Sequence, residues 1–366
     1  MNFPHRLPCD SNRHRTVNAT TDPLGHGLLA QRLASIPAHL EAMLRSPPSR
    51  AGRPAPRRAV VTGVGSSEAH ARYLVWLLNN FTDIPADFVP LVQFVHWAGS
   101  EFGDRTLIIF SQGLSQNPRI ALNQRAHFAQ TVLFTAASES GLRAAGRTER
   151  AELLAQLRDG GGEIVPFRLE DEDTIRLRAI GPACGFLAAR QWAQTLPGAR
   201  LPPLHPHDVL GDYARAQAAA PVDAFAQRHA EFRHGFMFLV SPALVHCGHN
   251  LVGKFVAGLY WPAPLVTDLL SFAHGPFQQL AVAPRPVVIV HTETPPELDL
   301  RNRALVMCGA LKIEPVVVSL RGSRTLAPLE AEALFNPVIL RLGELLGVDQ
   351  FNWPGKGLDT PLYAYP

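Results

Sequence analysis

The chain has 366 residues, 46% of them hydrophobic and 18% charged, with a formal charge of +3. It is long enough for two ordinary domains and apolar enough for a large core. Nearly all the positive charge is arginine, and no basic cluster is interleaved with aromatics, which argues against a nucleic-acid partner.

Residues 1–27 are polar and lack the apolar stretch of a signal peptide, so they read as a flexible N-terminal extension. Leu28, Leu29, Leu33, Ile36, Leu40, Met43 and Leu44 recur at helical spacing and predict an amphipathic helix. After a Pro/Arg-rich loop, strands and helices alternate. The expected order is strand 58–62, helix 67–79, strands 88–96 and 106–110, helix 117–128, strand 131–135, helix 148–158 and strand 163–168. A helix over 175–195 follows, interrupted at Gly181-Pro182. A proline-rich change of composition after Pro197 marks a junction. Beyond it the pattern restarts with one or two strands in 236–247, helix 249–260, strand 287–291, helix 300–311, strand 315–320 and helix 336–346. This rhythm of apolar strands and helices predicts parallel sheets covered on both faces. The expected organisation is a first domain over 28–200, a linker with a helix over 201–230, a second domain over 231–346 and a tail over 347–366.

Two stretches carry the chemistry. Strand 58–62 runs into Gly63-Val64-Gly65-Ser66-Ser67 and then directly into a helix, and strand 106–110 runs into Ser111-Gln112-Gly113-Leu114-Ser115 before the next helix. Glycines permit a tight turn and close approach of a ligand to the backbone. A helix start offers free N–H groups to an anion, and ligands of open α/β sheets sit beyond the strand carboxyl ends. Gly65, Ser66, Ser67, Ser111, Gln112, Gly113 and Ser115 are therefore candidates for holding a phosphate ester. A plain turn at Gly63–Ser67 and a helix cap at Ser115 or Asn117 account for the same residues without a ligand. Glu68 opens the first of these helices, where a carboxylate is favoured electrostatically and is also a candidate general base.

Together the two loops in tandem α/β units resemble the sugar isomerase (SIS) domain family, in particular the isomerase half of glucosamine-6-phosphate synthase and related phosphosugar isomerases and deaminases. Phe272-Ala273-His274-Gly275-Pro276 is similar to that family's F-x-H-G-P segment, and Trp353-Pro354-Gly355-Lys356-Gly357-Leu358 to its D-x-P-R-x-L-x-K ending. The resemblance spans residues 58 to about 360. It implies an α/β fold of two tandem doubly wound, flavodoxin-like parallel-sheet domains, a phosphosugar substrate and a homodimer in which His274 reaches the partner's site. It also implies proton transfer by His274, whose ordinary pKa suits a shuttle near neutrality. Asp268 is a candidate to orient His274 or act as an acid, and Lys356 is the only local substitute for the family's terminal lysine.

The departures bear on activity. One serine of the family's second loop is missing. The family's catalytic glutamate falls on Gly258 and its nearby lysine on Phe255, with Lys254 adjacent to that position but rotated by about 100° along a helix. Lysine otherwise occurs only at Lys312 and Lys356. No cysteine stands at position 2, so ammonia-fed glucosamine 6-phosphate synthesis is not expected. Cys9, Cys184, Cys247 and Cys308 form no CxxC pair, which suits free thiols of the cytoplasm rather than a disulfide framework. Cys247 and His249 end a strand, where they read either as nucleophile and base or as a buried thiol beside a helix start. His246, His249 and His274 lack the short spacing of a metal pair, so neither metal nor other cofactor is expected. No run reaches membrane-spanning length. The acidic run Glu170–Asp173 reads as a solvated loop and helix N-terminal charge. Three readings stay open: an enzyme on a sugar phosphate, a sugar-phosphate sensor without chemistry, and an enzyme whose substrate carries no phosphate.

Overall fold

The computed structural model describes residues 22–50, 53–96, 103–167, 172 and 174–363. The extension expected over 1–27 lies outside the described residues up to residue 21. Among the described residues nine strands form two sheets, and every strand pair in them is parallel. The first sheet has the order β2-β1-β3-β4-β5 and is built from β1 (Ala59–Thr62), β2 (Ala86–Phe88), β3 (Thr106–Phe110), β4 (Gln130–Thr135) and β5 (Glu163–Pro166). The second has the order β7-β6-β8-β9, from β6 (Met237–Val240), β7 (Leu265–Asp268), β8 (Val287–Thr292) and β9 (Val316–Leu320). In both, the chain leaves its first strand toward one side and returns on the other. This places a topological switch point between β1 and β3 and another between β6 and β8.

Alternation along the strands shows how the layers are glued. Val61, Ile108, Phe110, Val132 and Phe134 join Phe238, Val240, Val288 and Val290 in one continuous core between the sheets. The opposite faces, Val60, Leu107, Ile109 and Leu133 in the first sheet and Met237, Leu239, Val287 and Ile289 in the second, carry separate smaller cores under the outer helices. Residues that neighbour one another in a strand serve different cores, which is why the central residues of these strands are apolar in unbroken runs. Helices His26–Arg45, Ile180–Gln194 and Ala327–Leu346 fill the central layer.

Several expected boundaries differ, each for a local reason. The strand expected over 88–96 stops at Phe88, since Pro90 cannot donate to a ladder, and Leu91–His96 is a 3₁₀ helix. Residues 117–128 hold only a short helix, Arg119–Leu122, and a 3₁₀ turn. Pro242–Val245 is helical where a strand was expected, because Ser241 accepts from the Ala243 N–H and Pro242 occupies the first helical position. Gly181-Pro182 sits in the first turn of Ile180–Gln194, where proline costs no hydrogen bond, and interrupts nothing. Strand β7, preceded by Pro262 and Pro264, carries no period-two signal in the sequence.

Candidate functional site

At the switch point of the first sheet, β1 ends at Thr62 and the helix Ser66–Phe81 begins within four residues. A Cβ on Gly63 would overlap the Ser67 carbonyl, so glycine is what lets the helix start this close to the strand. Gly65, the residue before the helix, has φ 64° and ψ −131°, a conformation open in practice to glycine alone. Nothing lies within 4 Å of where its Cβ would be. No side chain caps the helix. Its first turn thus presents N–H groups and the positive end of its dipole to open space.

The loop after β3 stands alongside, because β3 pairs directly with β1. Ser111 and Gln112 are buried, and Leu114 turns the chain at φ 50°. The buried Glu172 carboxylate accepts N–H bonds from Ala179 (2.9 Å), Ile180 (2.8 Å) and Gly181 (2.8 Å), and also the Gln112 amide at 3.3 Å. It caps the helix Ile180–Gln194 and is not solvated, which corrects half of the reading of the acidic run; its other three members lie outside the described residues. With the amide nitrogen of Gln112 held by a carboxylate, its oxygen is left buried without a partner, as is Asn117 Oδ1.

Gly65, Ser66, Ser67, Glu68, Ser111, Gln112, Gly113 and Ser115 all line one cleft of about 740 Å3. Among the described residues none of the hydroxyls of Ser66, Ser67, Ser111 and Ser115 is hydrogen-bonded to protein. The opposite wall belongs to the second half of the chain: His249, Asn250 and Lys254 project from the helix Gly248–Leu259. Glu68 bridges the two walls, accepting from Arg72 Nε at 2.8 Å with His249 Nε2 3.9 Å away. Lys254 is buried and bonds Glu332 Oε2 at 2.7 Å and Asn336 Oδ1 at 2.6 Å, while Asn250 donates to the other oxygen of Glu332. Arg147, Arg150, Arg176 and Arg178 line the same cleft, with Asp359 from the tail. Among the described residues more arginines than carboxylates line it.

Motif reading missed these arginines, since none belongs to a loop at a strand end. Arg147 and Arg150 arrive from the start of the helix Thr148–Asp159, where Arg150 donates to the Gly113 carbonyl at 3.3 Å. The alternation Ile175-Arg176-Leu177-Arg178, with both apolar residues buried, was a usable signal that both arginines share a face.

Other candidates lie elsewhere. His274 is exposed beside the second sheet and does not line this chain's cleft. Asp268 ends β7, where its carboxylate accepts from the Leu270 and Ser271 N–H groups (2.8 Å each) and from Ser271 Oγ (2.5 Å), and these bonds hold it below the usual carboxylate range against the opposing effect of partial burial. It makes no bond to His274. Lys356 Nζ donates to the Phe351 carbonyl at 2.6 Å and sits 4.4 Å from the centre of the Trp353 ring; Trp353, not Lys356, lines the cleft. Gly258 and Phe255 face the core: a Cβ on Gly258 would overlap Ile339 Cγ2, and Phe255 is fully buried among aromatic rings. Cys247 is buried, which pushes its thiol well above the ordinary value, and donates to the Leu244 carbonyl, so a nucleophile is not formed there. His70, one turn into the first helix, is buried between Phe110 and Phe186 and donates from Nε2 to the Pro182 carbonyl at 2.9 Å. Burial lowers its pKa to about 4, so it is a neutral packing residue. Among the described residues no group of three or more His, Cys, Asp or Glu is placed to hold a metal ion, and no helix is long and apolar enough to cross a membrane.

No protein-family model matches the sequence, and no curated protein is significantly similar to it. Solved structures do match. The C-terminal domain of glucosamine-fructose-6-phosphate aminotransferase from Francisella tularensis aligns over 88% of this chain and 97% of its own, with TM-score 0.67 at 10% identity. A candidate phosphosugar isomerase from Silicibacter pomeroyi aligns over 88% and 99%, with TM-score 0.66 at 15% identity. Glucosamine-6-phosphate deaminase from Thermotoga maritima aligns over 87% and 94%, with TM-score 0.59 at 11% identity. The chain has the doubly wound fold of these proteins. At such identities the likeness speaks for the fold and leaves chemistry to the site.

Proposed function

We propose that the cleft binds a small phosphorylated sugar and performs acid/base chemistry on it, of the isomerisation or amine-loss type. The observation that carries this reading is the convergence of two serine-bearing loops and an uncapped helix start at the β1/β3 switch point. Gly65 and Gly113 would offer backbone N–H groups, and Ser66, Ser67, Ser111 and Ser115 hydroxyls, to the phosphate. The structural neighbours named for phosphosugar chemistry support the same class.

In this reading Glu68 takes the proton from the carbon next to the sugar carbonyl and returns it to the former carbonyl carbon. His249, 3.9 Å from Glu68, would border the same substrate. In this reading the two sheet-bearing halves are tandem SIS-type units, and His274, with Asp268 in its own chain, serves the cleft of a second copy. Lys356 acts through Trp353 at the edge. The sensor reading rests on one observation: position 258, where the resemblance implies the base, is walled off by Ile339.

Thermal unfolding with matched sugars, with and without a 6-phosphate, tests the binding. A ligand at a hundredfold excess over Kd stabilises the fold by about 2.7 kcal/mol. Stabilisation by a phosphorylated sugar and its loss in Ser67→Ala/Ser115→Ala is expected; failure of every phosphosugar to stabilise the wild type refutes the reading. Glu68→Gln is expected to keep binding and lose turnover of that sugar. Binding without turnover in the wild type would establish the sensor instead.

A further inference from the structure

The helix Gly248–Leu259 forms the far wall of the cleft, and its two faces are unusually alike. One, from Asn250 and Leu251 through Lys254 and Phe255 to Leu259, is buried. Every residue of the helix that is not buried, namely His249, Val252, Gly253, Val256 and Ala257, lines the cleft. A helix face turned to water is ordinarily polar, and a helix apolar on all sides is one that is covered. Beyond His249 this cleft-facing stripe carries no polar side chain. Val256 is nevertheless 39% exposed, and Gly253 has nothing within 4 Å of its Cβ position. Valine is among the weaker helix formers, so neither hydration nor helix propensity favours it there. Across the cleft Val64, which immediately precedes Gly65-Ser66-Ser67, is 46% exposed.

The stripe has a direction. At its start His249 Nε2 lies 3.9 Å from Glu68, the residue that follows the Ser66-Ser67 pair. From His249 to Val256 the helix rises about 10 Å. Past its end Tyr260 donates to the Asp349 carbonyl at 2.7 Å, which brings the tail alongside. Trp353 of that tail lines the cleft, with the Arg176 guanidinium 5.6 Å from the centre of its ring. A sugar phosphate held by the serine loops, with its reacting carbon at Glu68, occupies only the His249 end of this lane. We propose that the substrate carries an apolar substituent, such as an acyl group, at its reacting end, and that this group lies along Val252, Gly253 and Val256. The inference rests on the phosphosugar reading of the cleft and extends it to the class of sugar. The tail, although it borders the lane, leaves Val256 exposed, so the cover comes from elsewhere.

Titration calorimetry on the full chain tests it, with glucosamine 6-phosphate N-acylated by acetyl, butanoyl and hexanoyl groups and with the same acyl sugars lacking phosphate. Affinity is expected to rise by up to about fourfold for each methylene that the lane buries. In Val252→Ser/Val256→Ser the rise per methylene is expected to fall to about half or less; where the double variant fails to fold, Val256→Ser alone decides, since that side chain is exposed. Affinity that ignores chain length, falls with it, or rises equally in the variants overturns the proposal. Failure of the phosphosugar reading looks different: phosphorylated and unphosphorylated members then bind alike, and the chain-length dependence of either still decides the lane. No binding by any member overturns both. A dimer seen by sedimentation equilibrium and lost in the valine variants, with no chain-length dependence, would assign the stripe to a second copy of the chain and overturn the proposal.

Discussion

The wall of the cleft rests on a buried ion pair whose removal has a calculable consequence. The side chains of Lys254 and Glu332 are 2% and 0% exposed, and their Nζ–Oε2 separation is 2.7 Å. Lys254→Met would leave the Glu332 carboxylate in the core facing only the amides of Asn250 and Asn336, the latter at 3.5 Å. Glu332→Leu would leave the ammonium with the single oxygen of Asn336. Breaking a buried pair from one side costs about 3–5 kcal/mol, whereas replacing both partners by apolar groups of similar volume is often close to neutral. Each single variant is therefore expected to lose about 3–5 kcal/mol, and Lys254→Met/Glu332→Leu less than either. That gives a coupling energy on the order of 3 kcal/mol or more in a double-mutant cycle. Urea unfolding of the four proteins measures it. Costs that simply add, or single losses below about 1 kcal/mol, would show that the pair does not hold the helix Gly248–Leu259 against Ala327–Leu346, and the reasoning would fall.

Two further outcomes follow from buried groups near the site. His70 is neutral in the fold with a pKa of about 4, against 6.5 in the unfolded chain, so the unfolded state binds more protons between these values. Stability is then fully present above pH 6.5 and falls by about 1.4 kcal/mol per unit down to about pH 4, about 3 kcal/mol in all. Urea midpoints of wild type and His70→Gln should converge as pH falls through that window, and a pH-independent difference between them would contradict the assignment. In the helix Gly248–Leu259, Gly253 has nothing within 4 Å of a Cβ while Gly258 would strike Ile339. Gly253→Ala should stabilise by about 0.5–1 kcal/mol, and Gly258→Ala should destabilise by about 1–2 kcal/mol as overpacking outweighs the helix gain. Equal effects at the two positions, measured by thermal unfolding, would mean that residue 258 does have room for a side chain.

The α/β class, the parallel sheets and the two serine loops were legible in the sequence because each rests on local physics. Apolar runs such as Thr106–Phe110 must be covered on both faces, and Gly63–Ser67 and Ser111–Ser115 follow strands directly. That the loops are neighbours needed only the strand order common to such sheets. What surrounds them was not legible. Arg147 and Arg176 come from segments with no strand-end motif, and Glu172, in an acidic run, became a buried helix cap because the Ile180–Gln194 start lies over it. Lys254, next to the position where the resemblance implies a lysine, faces Glu332, which is 78 residues away. Gly258 is closed by Ile339, from a helix beginning at Ala327. Strand ends and turns are set by the residues beside them in the chain. The charge and shape of a cleft between two sheets are set by which distant helices pack together, and only the tertiary structure decides that.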